Sequence, residues 1–387
     1  MGGILFKKII VGFLTFGLLC AFHIQSVEAE AISKDKVIAK GYVLIEATTG
    51  RVLAGENFDK QLPMASTTKI MTALLTLEQQ NLYEDFVVNE QAIKVEGTSM
   101  GLKAGDKVSL FALANGMLLS SGNDAANAAA VKIAGSVDAF AGLMNKRAKE
   151  LSMNHTNFIT PSGLHNENHY STAYDMALLA RFAINNPTFS AICKKTNASV
   201  TFGNPPFRRT LSNHNRLLKE YEGCIGVKTG FTKKAGRCLV SAAERDGVTL
   251  ICVTLGAADD WQVHKNLFDE GFANLEKIPI EANVDKLSVR VVGGVKEKAS
   301  VKAHTNATAP ITQDDVAKLT QKVYIDRFVY APIKQGDVVG EIQHILGNSI
   351  VATTTIVANE DVNQKVKPVS KKESFWDKIK HLFRVNR

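Results

Sequence analysis

Cysteine is scarce in this sequence: five in 387 residues, none in a C-x-x-C pair and none spaced with histidine as a metal-ligand set would be. That pattern gives no ground for a zinc centre or another bound cofactor. No internal repeat is visible, which sets aside solenoid architectures. Net positive charge is missing from the body of the chain. The overall balance is +8, but residues 365–387 alone carry eight Lys or Arg against two acids, and residues 30–364 are close to neutral. A nucleic-acid-binding surface needs its basic residues on the folded body, so nucleic acid is not an expected partner. Tryptophan occurs twice, as Trp261 and Trp376, and one of the two lies in that basic tail. What is present is a globular composition, 45% hydrophobic and 22% charged, with length enough for two domains.

The two ends read differently from the middle. Lys7 and Lys8 precede an apolar run over residues 9–21, and Val27-Glu28-Ala29 supplies a small-residue cleavage site. Residues 1–29 therefore read as a secretory signal peptide, cut after Ala29. The run is short for an uncleaved membrane span, and Leu18-Leu19-Cys20 lacks the small residue that precedes a lipidated cysteine. At the other end, Phe375, Trp376, Ile379, Leu382 and Phe383 recur at helical spacing, with Lys378, Lys380, His381 and Arg384 between them. An aromatic face opposite a cationic one predicts an amphipathic helix lying on a membrane surface. The alternatives are a solvated basic tail or a helix docked on the body. Four cysteines remain after cleavage: Cys193, Cys224, Cys238 and Cys252. The last three are 14 residues apart in strand-like segments. Free buried thiols are the favoured reading, although export would permit a bridge.

Between these ends the hydrophobic pattern predicts a strand over 39–46, a turn over 47–50 and a return strand over 51–54. A helix is predicted over 66–79, followed by a mostly helical stretch to about 220 with apolar periodicity over 110–119, 124–134, 137–151 and 172–184. Residues 203–209, polar and holding Pro205-Pro206, read as a loop. Segments 224–228, 236–244 and 249–255 are strand-like, and 265–275 closes the region as a helix. From 280 to 362 the chain changes to short alternating strands separated by turns such as Gly293-Gly294. The expected organisation is a signal peptide (1–29), a mixed α/β catalytic domain (30–278), a small all-β domain (279–364) and a basic amphipathic tail (365–387).

Three motifs carry the chemistry. Ser66-Thr67-Thr68-Lys69 opens a predicted helix, so the Ser66 hydroxyl and the Lys69 amine share a face. A serine hydroxyl becomes a nucleophile when a neighbouring base takes its proton, and a desolvated lysine is such a base. Ser121-Gly122-Asn123 follows, and Lys228-Thr229-Gly230 lies further on. Alone, the second motif is an ordinary helix-capping turn and the third a common strand end. In this order the three form the signature of penicillin-binding proteins and serine β-lactamases. The expected roles are Ser66 as nucleophile, Lys69 as base, Ser121 as proton relay to the leaving amine, and Asn123 as partner of the substrate amide. Lys228 lowers the Lys69 pKa and, with Thr229 and Gly230, holds the substrate carboxylate end. The N–H groups of Ser66 and Phe231 form the oxyanion hole.

From about Tyr42 to Leu275 the chain resembles the low-molecular-mass penicillin-binding proteins, the serine-type D-alanyl-D-alanine carboxypeptidases. Beyond the three motifs the likeness rests on Phe158-Ile159-Thr160-Pro161-Ser162-Gly163-Leu164, Ser171-Thr172-Ala173-Tyr174-Asp175-Met176-Ala177, Gly226-Val227 before the K-T-G, and Ala235-Gly236 after it. The resemblance implies an α+β penicillin-binding, β-lactamase-like transpeptidase fold followed by a small all-β domain. It also implies removal of the terminal D-alanine from peptidoglycan stem peptides ending in D-Ala-D-Ala through an acyl-serine, and acylation of Ser66 by β-lactam antibiotics. Asp259-Asp260-Trp261 after Gly256 is similar to the subgroup of spore-forming Gram-positive bacteria, which implies a place in spore cortex formation.

One departure stands out. Some relatives carry an arginine after the strand that follows K-T-G; the comparable stretch here, 257–264, has none. Lys228, Thr229, His264 or Lys265 is then expected to meet the substrate carboxylate. No E-x-x-L-N element supplies the water-activating carboxylate of a β-lactamase. His155, His165 and His169 with Glu167 suggest a zinc site only weakly, because the glycine and asparagines around them point to a loop. A wall-binding protein that is acylated without turnover is the remaining rival.

Overall fold

The computed structural model describes residues 37–366, so the signal-peptide reading and nearly all of the amphipathic tail lie outside the described residues. The chain opens with a hairpin, β1 (Gly41–Glu46) and β2 (Val52–Glu56), then a 3-10 turn, Ala65–Thr68, runs into α1 (Lys69–Leu77). Next come β3 (Asp85–Val87), β4 (Lys107–Ser109), α2 (Leu110–Leu118), α3 (Asn123–Ala134), α4 (Val137–Glu150), α5 (Ala173–Ile184) and α6 (Pro187–Cys193). A second hairpin, β5 (Asn197–Gly203) and β6 (Pro206–Ser212), precedes α7 (Leu217–Glu220). The region closes with β7 (Cys224–Thr232), β8 (Gly236–Arg245), β9 (Val248–Ala257) and α8 (Asp260–Asn274).

The central sheet has the order β2-β1-β9-β8-β7 and is antiparallel throughout. Its first and last segments in sequence meet because β1 pairs with β9, Leu44 opposite Cys252. Strand alternation divides the apolar residues between two cores. Leu44, Leu239, Leu250 and Cys252 face Leu267 and Phe268 of α8. Val43, Ile45, Val240, Ile251 and Val253 face the other way, into the helical region around Ile70, Leu74 and Met117. All nine residues of α1 are buried. A helix enclosed on every side needs an apolar sequence all round, and Ile70 to Leu77 provides it.

Residues 203–209 are not a loop. Pro206 to Arg209 belong to β6, and only the Asn204-Pro205 step forms the turn. The polar look of the segment hid the alternation: Val200, Phe202 and Leu211 turn inward, while Arg209 lies flat over the Phe202 and Phe207 rings. The predicted helix 66–79 begins as the 3-10 turn, and the predicted strand 224–228 runs on to Thr232.

After α8 come β10 (Glu276–Ile280), β11 (Ser288–Val292), β12 (Lys298–Ala303), β13 (Ala307–Ile311), β14 (Thr320–Ile325), β15 (Val329–Tyr330), β16 (Val338–Leu346) and β17 (Ser349–Ala358). β10 pairs with β13, and the other six form one sheet in the order β14-β16-β17-β12-β11-β15. Val289, Val291, Ile342, Ile356 and Val362 are its core. Arg51, just before β2, reaches across to Asp315 at 3.2 Å and to the Pro310 carbonyl at 3.3 Å. The four cysteines are free thiols. Cys224 lies opposite Ala243 and Cys238 opposite Gly230 and Leu255, so the strand registers place no two of them across from one another.

Candidate active site

The Ser66 turn is built for proximity. In a 3-10 turn, side chains three apart are eclipsed, and Ser66 and Lys69 occupy that spacing at its junction with α1. Lys69 Nζ lies 3.0 Å from Ser66 Oγ. Ala65 enters the turn with φ of 49°, an uncommon value for a residue with a side chain. What holds it is packing. Gly163 passes so close that a Cβ there would run into the Ala65 carbonyl oxygen, and its own φ of 82° also favours glycine.

Lys69 is fully buried, yet its amine has three oxygen neighbours: Ser66 Oγ, Asn123 Oδ1 at 2.7 Å and the Ser162 carbonyl at 2.6 Å. Two of these can only accept a hydrogen bond. Asn123 is fixed in that sense because its Nδ2 donates to the Glu96 carbonyl. A neutral amine has two N–H bonds and one lone pair. The two acceptors use the N–H bonds, and the lone pair is left facing the Ser66 hydroxyl. Burial pushes the Lys69 pKa well below its ordinary range, and the Lys228 charge pushes it the same way, against the opposing pull of Asp124. The Asp124 carboxylate is itself saturated: it accepts from Ser99 Oγ and from the backbone N–H groups of Met100, Gly101, Leu102 and Ala125.

Lys228, Thr229 and Gly230 lie on β7, the edge strand of the sheet, against the Ser66 turn. Gly230 is where the strand comes nearest: a Cβ there would stand 3.0 Å from both Ser66 N and Thr67 N. Among the described residues β7 has a strand partner on one side only, and at Gly230 it borders the Ser66 turn. Lys228 is buried, its Nζ donates to the Thr229 carbonyl at 2.8 Å, and burial lowers its pKa to about 7. Ser121 is buried with φ of 58°, its carbonyl accepting from Thr98 Oγ1 at 2.6 Å. Among the described residues its hydroxyl makes no direct hydrogen bond to either lysine. Phe231 is two-thirds exposed, at 66%, on the outer lip.

Several contacts that support the site were not foreseen from sequence. His169 is buried; its Nδ1 accepts from the Ile159 N–H at 2.9 Å and its Nε2 donates to Thr68 Oγ1 at 2.8 Å. Thr68 in turn donates to the Ala65 carbonyl. The imidazole therefore ties the 158–164 segment, which carries Ser162, to the nucleophile turn. Both ring nitrogens are consumed inside the fold, so this histidine does not face solvent; His165 pairs instead with Glu167 at the surface. Burial lowers the His169 pKa to about 4. His214, exposed at the surface, has its pKa lowered, first by the partial desolvation of its ring and then by the Lys228 charge. The expectation that His264 or Lys265 meets a substrate carboxylate is not met. His264 is enclosed beneath the sheet between Ser241 Oγ and Thr254 Oγ1, and Lys265 pairs with Glu220 at 3.0 Å.

The D-alanyl-D-alanine carboxypeptidase family model matches residues 28–259, more than half the chain. The chain belongs to that family. A second model, the C-terminal domain of penicillin-binding protein 5, matches residues 277–364. The chain is 33% identical over 340 residues to D-alanyl-D-alanine carboxypeptidase DacF of Bacillus subtilis, covering 84% of this chain and 86% of that protein. It is 33% identical over 358 residues to D-alanyl-D-alanine carboxypeptidase DacC of Escherichia coli, covering 88% and 87%. Among solved structures, penicillin-binding protein 5 of Haemophilus influenzae superposes with a TM-score of 0.68 at 29% identity, covering 86% of this chain and 99% of that one. Family membership and the paired architecture confirm the expected penicillin-binding fold with its all-β C-terminal domain.

Two tests follow from this geometry. Replacing Lys228 by Gln removes a cation that disfavours protonated Lys69, so the acid limb of the Ser66 acylation profile moves to higher pH. The rate at neutral pH also falls, by roughly 10–1,000-fold, through lost charge stabilisation. An unmoved limb, read by stopped-flow acylation with a chromogenic cephalosporin, contradicts the coupling. His169 has the opposite signature, in stability. Its folded pKa of about 4 lies below its ordinary 6.5, so the unfolded chain takes up a proton that the native state refuses between those values. Stability present above 6.5 is lost as pH falls toward 4. Thermal unfolding of His169→Gln should show a shallower fall of Tm across that window than the native chain; an identical slope would refute the assignment.

Proposed function

We propose that this protein, a serine D-alanyl-D-alanine carboxypeptidase by family, removes the terminal D-alanine from peptidoglycan stem peptides through an ester on Ser66. The observation that carries the reading is the buried Lys69 amine, held by two acceptors, Asn123 Oδ1 and the Ser162 carbonyl, with its nitrogen 3.0 Å from Ser66 Oγ. Lys69 takes the Ser66 proton as Oγ attacks the carbonyl carbon of the penultimate D-alanine. Charge develops on the carbonyl oxygen, where the Ser66 and Phe231 N–H groups donate. Losing one such donor costs about 3 kcal/mol in barrier. Lys69 gives that proton up through Ser121 to the departing D-alanine nitrogen as the C–N bond breaks, and is neutral again. Water then attacks the ester, Lys69 takes its proton and hands it to Ser66 Oγ, which leaves as the free hydroxyl. Asn123 keeps Lys69 aligned and offers its second Nδ2 hydrogen to the peptide.

The substrate carboxylate falls to Lys228 and Thr229, because no cation of the 257–264 stretch faces the crevice. A peptide lying along the outer edge of β7 adds a strand to the sheet, a recognised mode of capture that uses backbone groups. A penicillin places its strained amide at the same carbonyl position, so it acylates Ser66 as well. The carboxylate whose charge acts on Lys69, Asp124, accepts five hydrogen bonds and is not free to activate water, which favours a long-lived penicilloyl ester over β-lactamase turnover. Export by the N-terminal signal and attachment by the C-terminal tail would put this chemistry at the outer face of the cytoplasmic membrane, where its substrate lies.

The reading is tested by incubating native protein and Ser66→Ala with a peptide ending in D-Ala-D-Ala and, separately, with benzylpenicillin. The native chain should release free D-alanine and gain one penicilloyl mass mapped to the peptide holding Ser66. Ser66→Ala should lose both, release falling by roughly 10⁴-fold or more. Penicilloylation without D-alanine release would favour a sensor over an enzyme, and an adduct elsewhere would remove Ser66 from its role.

A further inference from the structure

The far end of the C-terminal sheet carries a surface with no evident part in catalysis. β15 is a two-residue edge strand that pairs in parallel with the end of β11, Val292 beside Tyr330. Alternation along β11 turns Val289 and Val291 into the core and leaves Ser288, Arg290 and Val292 outside. Phe328 and Tyr330 lie on this outer side, their rings stacked edge to face at 5.4 Å, and Tyr330 is 70% exposed. Val295, 63% exposed, follows the Gly293-Gly294 turn. The described chain ends at the same place. Val295 N donates to the Asn363 carbonyl, Gly294 bridges Gln364, and Lys365 N donates to the Gly293 carbonyl at 2.7 Å. Val366, exposed in turn, is the last described residue.

Five exposed apolar residues thus surround the point where the tail departs. Exposed aromatic side chains grouped in this way mark an interaction surface. Cations flank them: Arg290 lies two residues before Val292 on the same face, and Arg327 precedes Phe328. Of the neighbouring acids, Glu360 is engaged with Lys296 and Ser300 and Asp361 with the Gln335 N–H, while Asp326 and Glu297 are exposed beside the exposed cations Arg327 and Lys298. Nine residue steps separate Val366 from Phe375, where the tail's aromatic face begins, a reach of at most about 32 Å fully extended.

We propose that Val292, Val295, Phe328 and Tyr330, flanked by Arg290 and Arg327, rest on an anionic phospholipid surface as a second contact beside the tail. This rests in part on the reading of the tail as a membrane anchor. Aromatic rings beside cations suit the headgroup boundary, where apolar bodies and polar tips are both accommodated. A single attachment through the tail would leave the β domain free to tilt. A second contact fixes the orientation of the sheet and therefore the height and facing of the Ser66 crevice.

The test is co-sedimentation of the mature full-length chain with phosphatidylglycerol-containing vesicles. Penicillin labelling of Ser66 serves as the control that each variant is folded. Phe328→Ser with Tyr330→Ser should label normally and bind vesicles roughly tenfold more weakly. Phe375→Ser with Trp376→Ser tests the tail separately. Unchanged binding by the first variant, with binding lost by the second, overturns the proposal and leaves the anchor reading intact; the reverse overturns the anchor reading alone. Stronger binding by the first variant would mean that the tail itself docks on the patch. A native dimer that the first variant converts to monomer, without vesicles, would make the surface an interface between copies. Either result also overturns the proposal.

Discussion

Everything in this molecule that bears on catalysis depends on keeping one amine dry. Lys69 has no exposed surface, and its three oxygen neighbours come from three separate segments: the turn holding Ser66, the start of α3, and the 158–164 loop. An ammonium ion enclosed in this way loses its hydration, which favours the neutral form. The second buried lysine, on β7, adds repulsion. A lysine that would ordinarily be charged is biased toward its neutral form, as the proposed role of base requires, and the fold bears the cost through packing elsewhere.

The supporting structure explains why such a site needs a two-core domain. The central sheet is covered on one face by α8 and on the other by α1, α5 and α6, so its edge strand β7 is held in place beside the Ser66 turn. Glycines set the closest approaches: Gly230 allows β7 to meet the Ser66 turn, and Gly163 allows the Ser162 carbonyl to reach Lys69. His169 locks the same loop to Thr68. Strained backbone at Ala65 and Ser121 lies within this frame, as expected where surrounding contacts over-determine a conformation.

The catalytic motifs were legible because their chemistry is local or their order is specific. Ser66 and Lys69 announce themselves by a three-residue spacing, and the S-x-N and K-T-G elements by their sequence order and context. Strand and helix periodicity gave the β1–β2 hairpin, the helical stretch, and the change to alternating strands beyond residue 280. What was not legible is long-range. Nothing near His169 in sequence says that it reaches Thr68, 101 residues away. His264 looked like a substrate contact because it follows β9 closely, but helix α8 turns it beneath the sheet toward Ser241 and Thr254. The β5–β6 hairpin was obscured by its prolines and by arginine, although the Arg209 guanidinium sits over the Phe202 and Phe207 rings. Cys224, Cys238 and Cys252 share a regular spacing that strand register does not turn into contact.

The account stands on Lys69 being an uncharged amine when substrate arrives. NMR titration of the lysine side chains with ¹³C at the ε-carbon reads that directly, the Lys69 signal being assigned by its loss in Lys69→Arg. The account predicts a Lys69 resonance that loses its charge well below the ordinary lysine value of 10.5, apart from the surface lysines. A Lys69 signal that titrates together with the exposed lysines would contradict it, and the proton would then need another acceptor.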